Sequence, residues 1–186
     1  GANAWRQAGN LFGAGYDFGH EDAHPNDDQG HGTHVAGTIA QSTNNNMGAA
    51  GLAFGCSIMP VKVMNHLGIG THFDLAGGIY FATDNGAKVI NMSLGAAGHS
   101  MTLRDAVARA YTRGVTVVCA AGNEFLEGNP LSFPAAYNDY CIAVGATRYD
   151  ETRAYYSNTG SYVDVVAPGG DMLQDQNRDG QPDGIL

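Results

Sequence analysis

The sequence predicts an α/β protein with a mostly parallel central sheet and helices on both faces. Three observations predict it. Short apolar runs at 57–63, 88–92, 114–120 and 141–145, each rich in Val, Ile or Met, read as buried strands. Amphipathic segments at 71–85 and 102–113 lie among them with helical spacing. Strand–helix–strand order implies right-handed crossovers, and those pair strands in parallel. No internal repeat interrupts the pattern.

Taken in order, residues 1–30 are polar and irregular, with acids at Asp17, Glu21, Asp22, Asp27 and Asp28. The opening Gly1–Arg6 has no basic stretch followed by an apolar one, so it does not read as a signal peptide. Gly30-His31-Gly32-Thr33-His34-Val35-Ala36-Gly37-Thr38 opens a helix with a histidine at its start. In 71–85, Thr71 with Asp74 forms the opening pair, Leu75, Ile79 and Ala82 share a face, and Gly86 ends the helix. In 102–113, Leu103, Ala106, Val107, Ala110 and Tyr111 make one apolar face. Thr102 with Asp105 is its expected capping box, and Gly114 its stop. From 169 onward the apolar rhythm is lost, and Asp171, Asp175, Asp179 and Asp183 appear.

Composition removes several function classes. Among 186 residues, 18 acids face 9 lysines and arginines, a formal charge of −9. A chain this acidic repels phosphate, so nucleic-acid binding is not expected. No apolar run approaches the roughly 20 residues of a membrane helix. Charged residues make up 15%, too few for disorder driven by charge. Cys56, Cys119 and Cys141 cannot all pair, and two sit in apolar runs, so all three read as free thiols. No Cys-x-x-Cys supports a thiolate zinc site.

Open α/β sheets bind ligands beyond the carboxyl ends of their strands. Gly-rich segments fall there: Leu67-Gly68-Ile69-Gly70, Ser93-Leu94-Gly95 and Ala120-Ala121-Gly122-Asn123. With the His31 segment they supply an imidazole, an amide side chain and accessible backbone. That set suits acyl transfer, which needs a base, an oxyanion donor and a strand to pair with a peptide.

The His31 segment resembles the histidine motif of the subtilases, the subtilisin-like serine endopeptidases. Asn91-Met92-Ser93-Leu94-Gly95 resembles their substrate-binding strand end, and Ala120-Ala121-Gly122-Asn123 their oxyanion turn. Tyr156-Ser157-Asn158-Thr159-Gly160 and Val165-Val166-Ala167-Pro168-Gly169 are similar to the segment leading to their serine. These motifs stand in family order over about residues 17–170.

The resemblance implies a three-layer subtilisin-like fold and endoproteolysis through an acyl-enzyme. By it, His31 is the general base and Asn123 the oxyanion donor. Gly68, Ile69 and Gly70 would flank an extended peptide on one side, and Ser93, Leu94 and Gly95 on the other. Ala120, Ala121 and Gly122 would floor the primary specificity pocket, and His72 and Leu75 would border a second one. A peptide or protein substrate, secretion, and a monomer at full length are implied with it. The family's Asp-Thr-Gly or Asp-Ser-Gly motif and its Gly-Thr-Ser-Met-Ala motif do not occur in these residues. The chain therefore reads as a partial peptidase domain, 1–186, truncated at both ends and inactive alone. The rival readings are a non-catalytic peptide-binding module and, without a His-Glu-x-x-His pattern, a zinc hydrolase using His20, His24, His31 and His34.

Other residues have plainer readings. His34 reads as a packed helix residue, and His20, His24, His66, His72 and His99 as solvated. Asn91-Met92-Ser93 fits a glycosylation sequon but falls in an expected buried strand. Asp175, Asn177, Asp179 and Asp183 occupy positions 1, 3, 5 and 9 of a calcium-type loop, with Gly180 at 6 and Leu186 where the final Glu belongs. The plain alternative is a solvated acidic loop. Resemblance to proteinase K-like subtilases adds a calcium site at Asp164 with carbonyls of Asn138 and Tyr140. Asn44–Gly48 resembles a subtilisin calcium loop without a carboxylate.

Overall fold

The structure, a computed structural model, describes residues 15–185. The leader reading of Gly1–Arg6 and the position of Leu186 lie outside them. The chain divides into two units, Gly1–Ala87 and Lys88–Leu186.

In the first unit, β1 (Tyr16–Asp17) pairs in parallel with β2 (Val61–Lys62). Only two residues of the expected 57–63 strand join a ladder. Pro60 has no amide to give, and contributes its carbonyl to Tyr16 N at 3.2 Å. Helix α1 spans His31–Ala40 and α2 spans His72–Asp84. The predicted opening of α2 holds: Thr71 Oγ1 accepts from Asp74 N at 3.1 Å, and Asp74 reaches back to Thr71. Helix α2 packs on β2 through glycines. A Cβ on Gly78 would lie 2.6 Å from Val63 Cγ1, and one on Gly77 2.8 Å from Phe18 Cε1. Tyr16, Phe18 and Phe81 complete this core as an aromatic cluster.

In the second unit, β3 (Val89–Met92), β4 (Thr116–Ala120), β5 (Cys141–Thr147) and β6 (Val165–Pro168) form one parallel sheet in chain order. The run at 114–120 yields a strand only from Thr116. Gly114 has φ +76° and ends α3 (Met101–Thr112), and Val115 N still donates to Ala110 O. The expected Thr102–Asp105 box does not cap α3. Ser100 stands two residues earlier and its hydroxyl accepts from Leu103 N at 3.3 Å, leaving Thr102 inside the first turn. Leu103, Ala106, Val107 and Ala110 are buried, with Val117, Cys119 and Ala143 also in the core.

Val89 on β3, expected to be buried, is exposed, as are Val165 and Val166 on β6; among the described residues each of these two strands has one neighbour in the sheet. Asn91 is likewise exposed and donates to Ser93 Oγ at 3.0 Å, so the acceptor of the sequon is not buried, although Met92 is.

Candidate active site

His31 is the first residue of α1. Gly30 precedes it with φ +103° and offers no capping side chain. Asp27 takes over that task from outside the helix. Its Oδ1 accepts from Gln29 N (2.9 Å) and Gly30 N (2.8 Å), and its Oδ2 from Thr33 N (2.7 Å) and Thr33 Oγ1 (2.6 Å). Burial opposes the Asp27 charge, but these four donors outweigh it and lower its pKa to about 2. The loop before the histidine is thereby fixed to the first turn after it. His31 N donates to Gln29 Oε1 at 2.9 Å, and its ring is exposed. His34 is exposed as well, contrary to the packed position expected: the buried face of α1 is Gly37 and Ala40.

Asp17 and Lys62 form a centre that composition alone does not reveal. Asp17 is 2% exposed and accepts from Gly19 N, His20 N, His20 Nδ1 and Lys62 Nζ. Burial works against its ionised form, yet the His20 and Lys62 contacts keep its pKa below the ordinary value. Lys62 Nζ also reaches Asp28 Oδ2 at 3.0 Å. His20, His24, His66, His72 and His99 are exposed as read, with His99 edge-on to Phe133 and Tyr137.

The Gly68–Gly70 segment folds over Asn65. Asn65 N donates to Ile69 O at 2.9 Å, and Asn65 Oδ1 accepts from Leu67 N and Ile69 N. Leu67 and Ile69 are left exposed. Leu75 is buried next to Gly70, where an added Cβ would lie 3.2 Å from Leu75 Cδ1. His72 is exposed at the start of α2.

In the second unit the carboxyl ends of β4, β5 and β6 surround a cavity of about 370 Å³. Ala120, Ala121, Gly122 and Asn123 line it, together with Tyr156 and Ala167–Gly169. Gly122 has φ +109°, the left-handed turn that lifts Asn123 off the end of β4. Two residues to which the motif reading gives no role hold that turn. Glu124 Oε2 accepts from Asn123 N (2.9 Å) and from Asn158 Nδ2 (3.1 Å), and Asn158 N donates to Gly122 O (3.0 Å). Tyr162 Oη donates to Ala121 O at 2.8 Å from beneath. Asn123 itself is exposed, while Asn158 is buried. Ser93 and Leu94 are half-buried beyond β3, and Gly95 lies so close to Ser132 that a Cβ would overlap its hydroxyl.

Among the metal candidates, Asp164 Oδ2 accepts from Ala143 N at 2.8 Å, while Asn138 and Tyr140 lie just before β5. Asn44–Gly48 is a surface loop whose Asn45 Oδ1 accepts from Met47 N. Among the described residues, no three histidine, cysteine or acidic side chains are drawn together as a metal shell. No helix among them is long and apolar enough to cross a membrane.

A parallel sheet whose strand ends carry a small-residue pocket and a projecting amide, in a chain that also opens a helix with a histidine, is the outline of an α/β hydrolytic enzyme. Residues 6–183 match the profile of the subtilase family, and the chain belongs to that family. It is 46% identical over 159 residues to the thermophilic serine proteinase of Bacillus sp. (strain AK1), covering 86% of this chain and 39% of that protein. Over 162 residues it is 44% identical to thermitase of Thermoactinomyces vulgaris, covering 87% of this chain and 57% of thermitase. The crystal structure of a cold adapted subtilisin-like serine proteinase superposes with a TM-score of 0.77 at 37% identity, covering 88% of this chain and 57% of that one. The fold is therefore subtilisin-like, and the chain spans about four- to six-tenths of these relatives' length.

Proposed function

We propose that these residues carry the base and the oxyanion donor of a serine endopeptidase that hydrolyses peptide bonds. The observation that supports this best is Asn123, projecting at the rim of the cavity lined by Ala120, Ala121 and Gly122. In this reading His31 accepts the proton of a serine hydroxyl as its oxygen bonds to the substrate carbonyl carbon. The carbonyl oxygen becomes an oxyanion, and the Asn123 amide donates to it. His31 then passes the proton to the leaving amine as the C–N bond breaks. Water repeats the sequence on the acyl-enzyme and releases the acid. The serine and the carboxylate partner of His31 come from residues beyond these 186, since neither family motif occurs among them.

The substrate is an extended peptide, with Gly68–Gly70 and Ser93–Gly95 as the strands beside it. Small residues at Ala120–Gly122 admit a large side chain next to the scissile bond. The full-length protein is a secreted monomer in this reading, and the family's structural calcium fits Asp164, with one carboxylate oxygen on Ala143 N and carbonyls at Asn138 and Tyr140 nearby in sequence.

The test is a fluorophosphonate label on the full-length protein, with turnover of a chromogenic peptide measured beside it. Labelling that requires His31 is the expected result. Peptide binding with neither labelling nor turnover overturns it in favour of a binding module.

A further inference from the structure

The tail holds a loop that proteolysis leaves unused. Asp175, Asn177, Asp179 and Asp183 stand at its positions 1, 3, 5 and 9, with the Gln181 carbonyl at 7. Gly180, at position 6, has φ +87° and makes the sharp turn such a loop needs. The first three side chains are folded over the loop's own backbone. Asp175 accepts from Asp179 N and Gly180 N at 3.1 Å each, and Asn177 Oδ1 from Asp179 N at 2.8 Å.

Asp183 differs from them. It is 8% exposed, and its Oδ2 accepts from Gln176 N, which holds the carboxylate against the first turn of the loop. Its Oδ1 is buried and has no hydrogen-bond partner among the described residues. Its backbone is fixed on both sides, by Gln174 O at 2.8 Å and by Asp171 N at 2.7 Å. Arg148 pairs with Asp150 and Asp171 rather than with Asp183, and the loop's own cation, Arg178, is exposed. A buried carboxylate oxygen with nothing to accept from is unfavourable unless a cation completes it.

We propose that residues 175–183 bind one Ca²⁺, with Asp183 supplying the carboxylate that position 12 supplies in an ordinary calcium loop. Leu186 stands at that twelfth position and has no side-chain oxygen. Every donor is oxygen, and several are neutral, which suits a hard ion with flexible coordination. Mg²⁺ requires a stricter octahedron and holds its water, so it is the poorer match. The acids do not stand as a ready-made shell, and ion binding is what draws Asp175, Asp179 and Asp183 together. The inference is independent of the proteolytic reading.

The experiment compares full-length wild type with Asp179→Ala and Asp183→Asn after chelator treatment. Equilibrium dialysis with radioactive calcium counts sites, and thermal melting is run with chelator and with about 1 mM CaCl₂. Wild type should hold one more calcium than either variant, and its Tm should rise more on adding calcium. Asp183→Asn should melt above wild type in chelator and below it in calcium, because it removes an unpaired buried charge and a ligand at once. A merely structural Asp183 gives the same order in both conditions and overturns the proposal. So does equal calcium stoichiometry in wild type and the exposed-site variant Asp179→Ala, or saturation by Mg²⁺ at the same concentration.

Discussion

Asp27 and Thr33 are joined twice, by the Thr33 amide at 2.7 Å and its hydroxyl at 2.6 Å, both on one carboxylate oxygen. The other oxygen holds Gln29 N and Gly30 N. The first turn of α1, with His31 at its head, depends on a charge four residues upstream.

The first prediction concerns that charge. The folded pKa of Asp27 lies near 2, below its ordinary 3.8, so ionisation stabilises the fold. That contribution is complete above about pH 4 and is lost as pH falls through about 2. Allowing for solvent screening it amounts to about 1–2 kcal/mol. Asp27→Asn should therefore be less stable than wild type at pH 7. The gap should narrow between pH 4 and pH 2 in urea titrations. An unchanging gap would mean that the carboxylate acts through shape alone.

Gly122 tests the oxyanion turn. An alanine there meets φ +109° and places a Cβ 2.6 Å from Glu124 Oε2. Gly122→Ala should cost about 1–3 kcal/mol and displace Asn123. Differential scanning calorimetry reads the first effect, and peptide turnover by the full-length protein reads the second.

Asn123→Ala removes a donor from the rim of the cavity and leaves its small-residue lining in place. In the full-length protein kcat should fall about 10²–10³-fold with KM nearly unchanged. A rise in KM at constant kcat would make Asn123 a binding residue instead. The 186-residue chain by itself should show no turnover at all; activity that His31→Ala abolishes would contradict this.

Thr71→Ala breaks the reciprocal cap of α2, where Thr71 and Asp74 satisfy each other's amides. A loss of about 0.5–2 kcal/mol is expected in chemical denaturation. Because the cap is exposed, Thr71→Ser should restore most of it.

The sequence shows its regular parts best. The apolar faces of α2 and α3, except for Tyr111, which is exposed, and the runs at 88–92 and 141–145 become the elements expected, because periodicity and β-branched runs are local signals. The cap of α3 is misread because Ser100 and Thr102 are both good capping residues, and tertiary packing chooses between them: Tyr137 Oη also binds Ser100 N and O. Strand β1 is invisible, since Tyr16–Asp17 is too short for any pattern and gains its ladder from a partner 45 residues away. The site divides in the same way. His31 and Asn123 stand in recognisable motifs with a role attached, but Asp27 and Glu124 stand in none, and Asn158 stands in one that assigns it no role. They act on backbone amides and carbonyls, and only folding brings those within reach. Lys62 carried no mark of its own, since both lysines, Lys62 and Lys88, fall in expected buried strands.

The three thiols give the chain an internal clock. Cys119 and Cys141 are buried, and their mutual contact, together with burial, pushes the Cys119 thiol well above its ordinary pKa. Burial keeps both sulfurs from an alkylating reagent while the four-stranded sheet is closed. Cys56, in the other unit, is only half-covered. Pulse alkylation read by mass spectrometry therefore times two openings in one experiment: Cys56 marks local breathing of its loop, and the Cys119–Cys141 pair marks the moment the sheet comes apart.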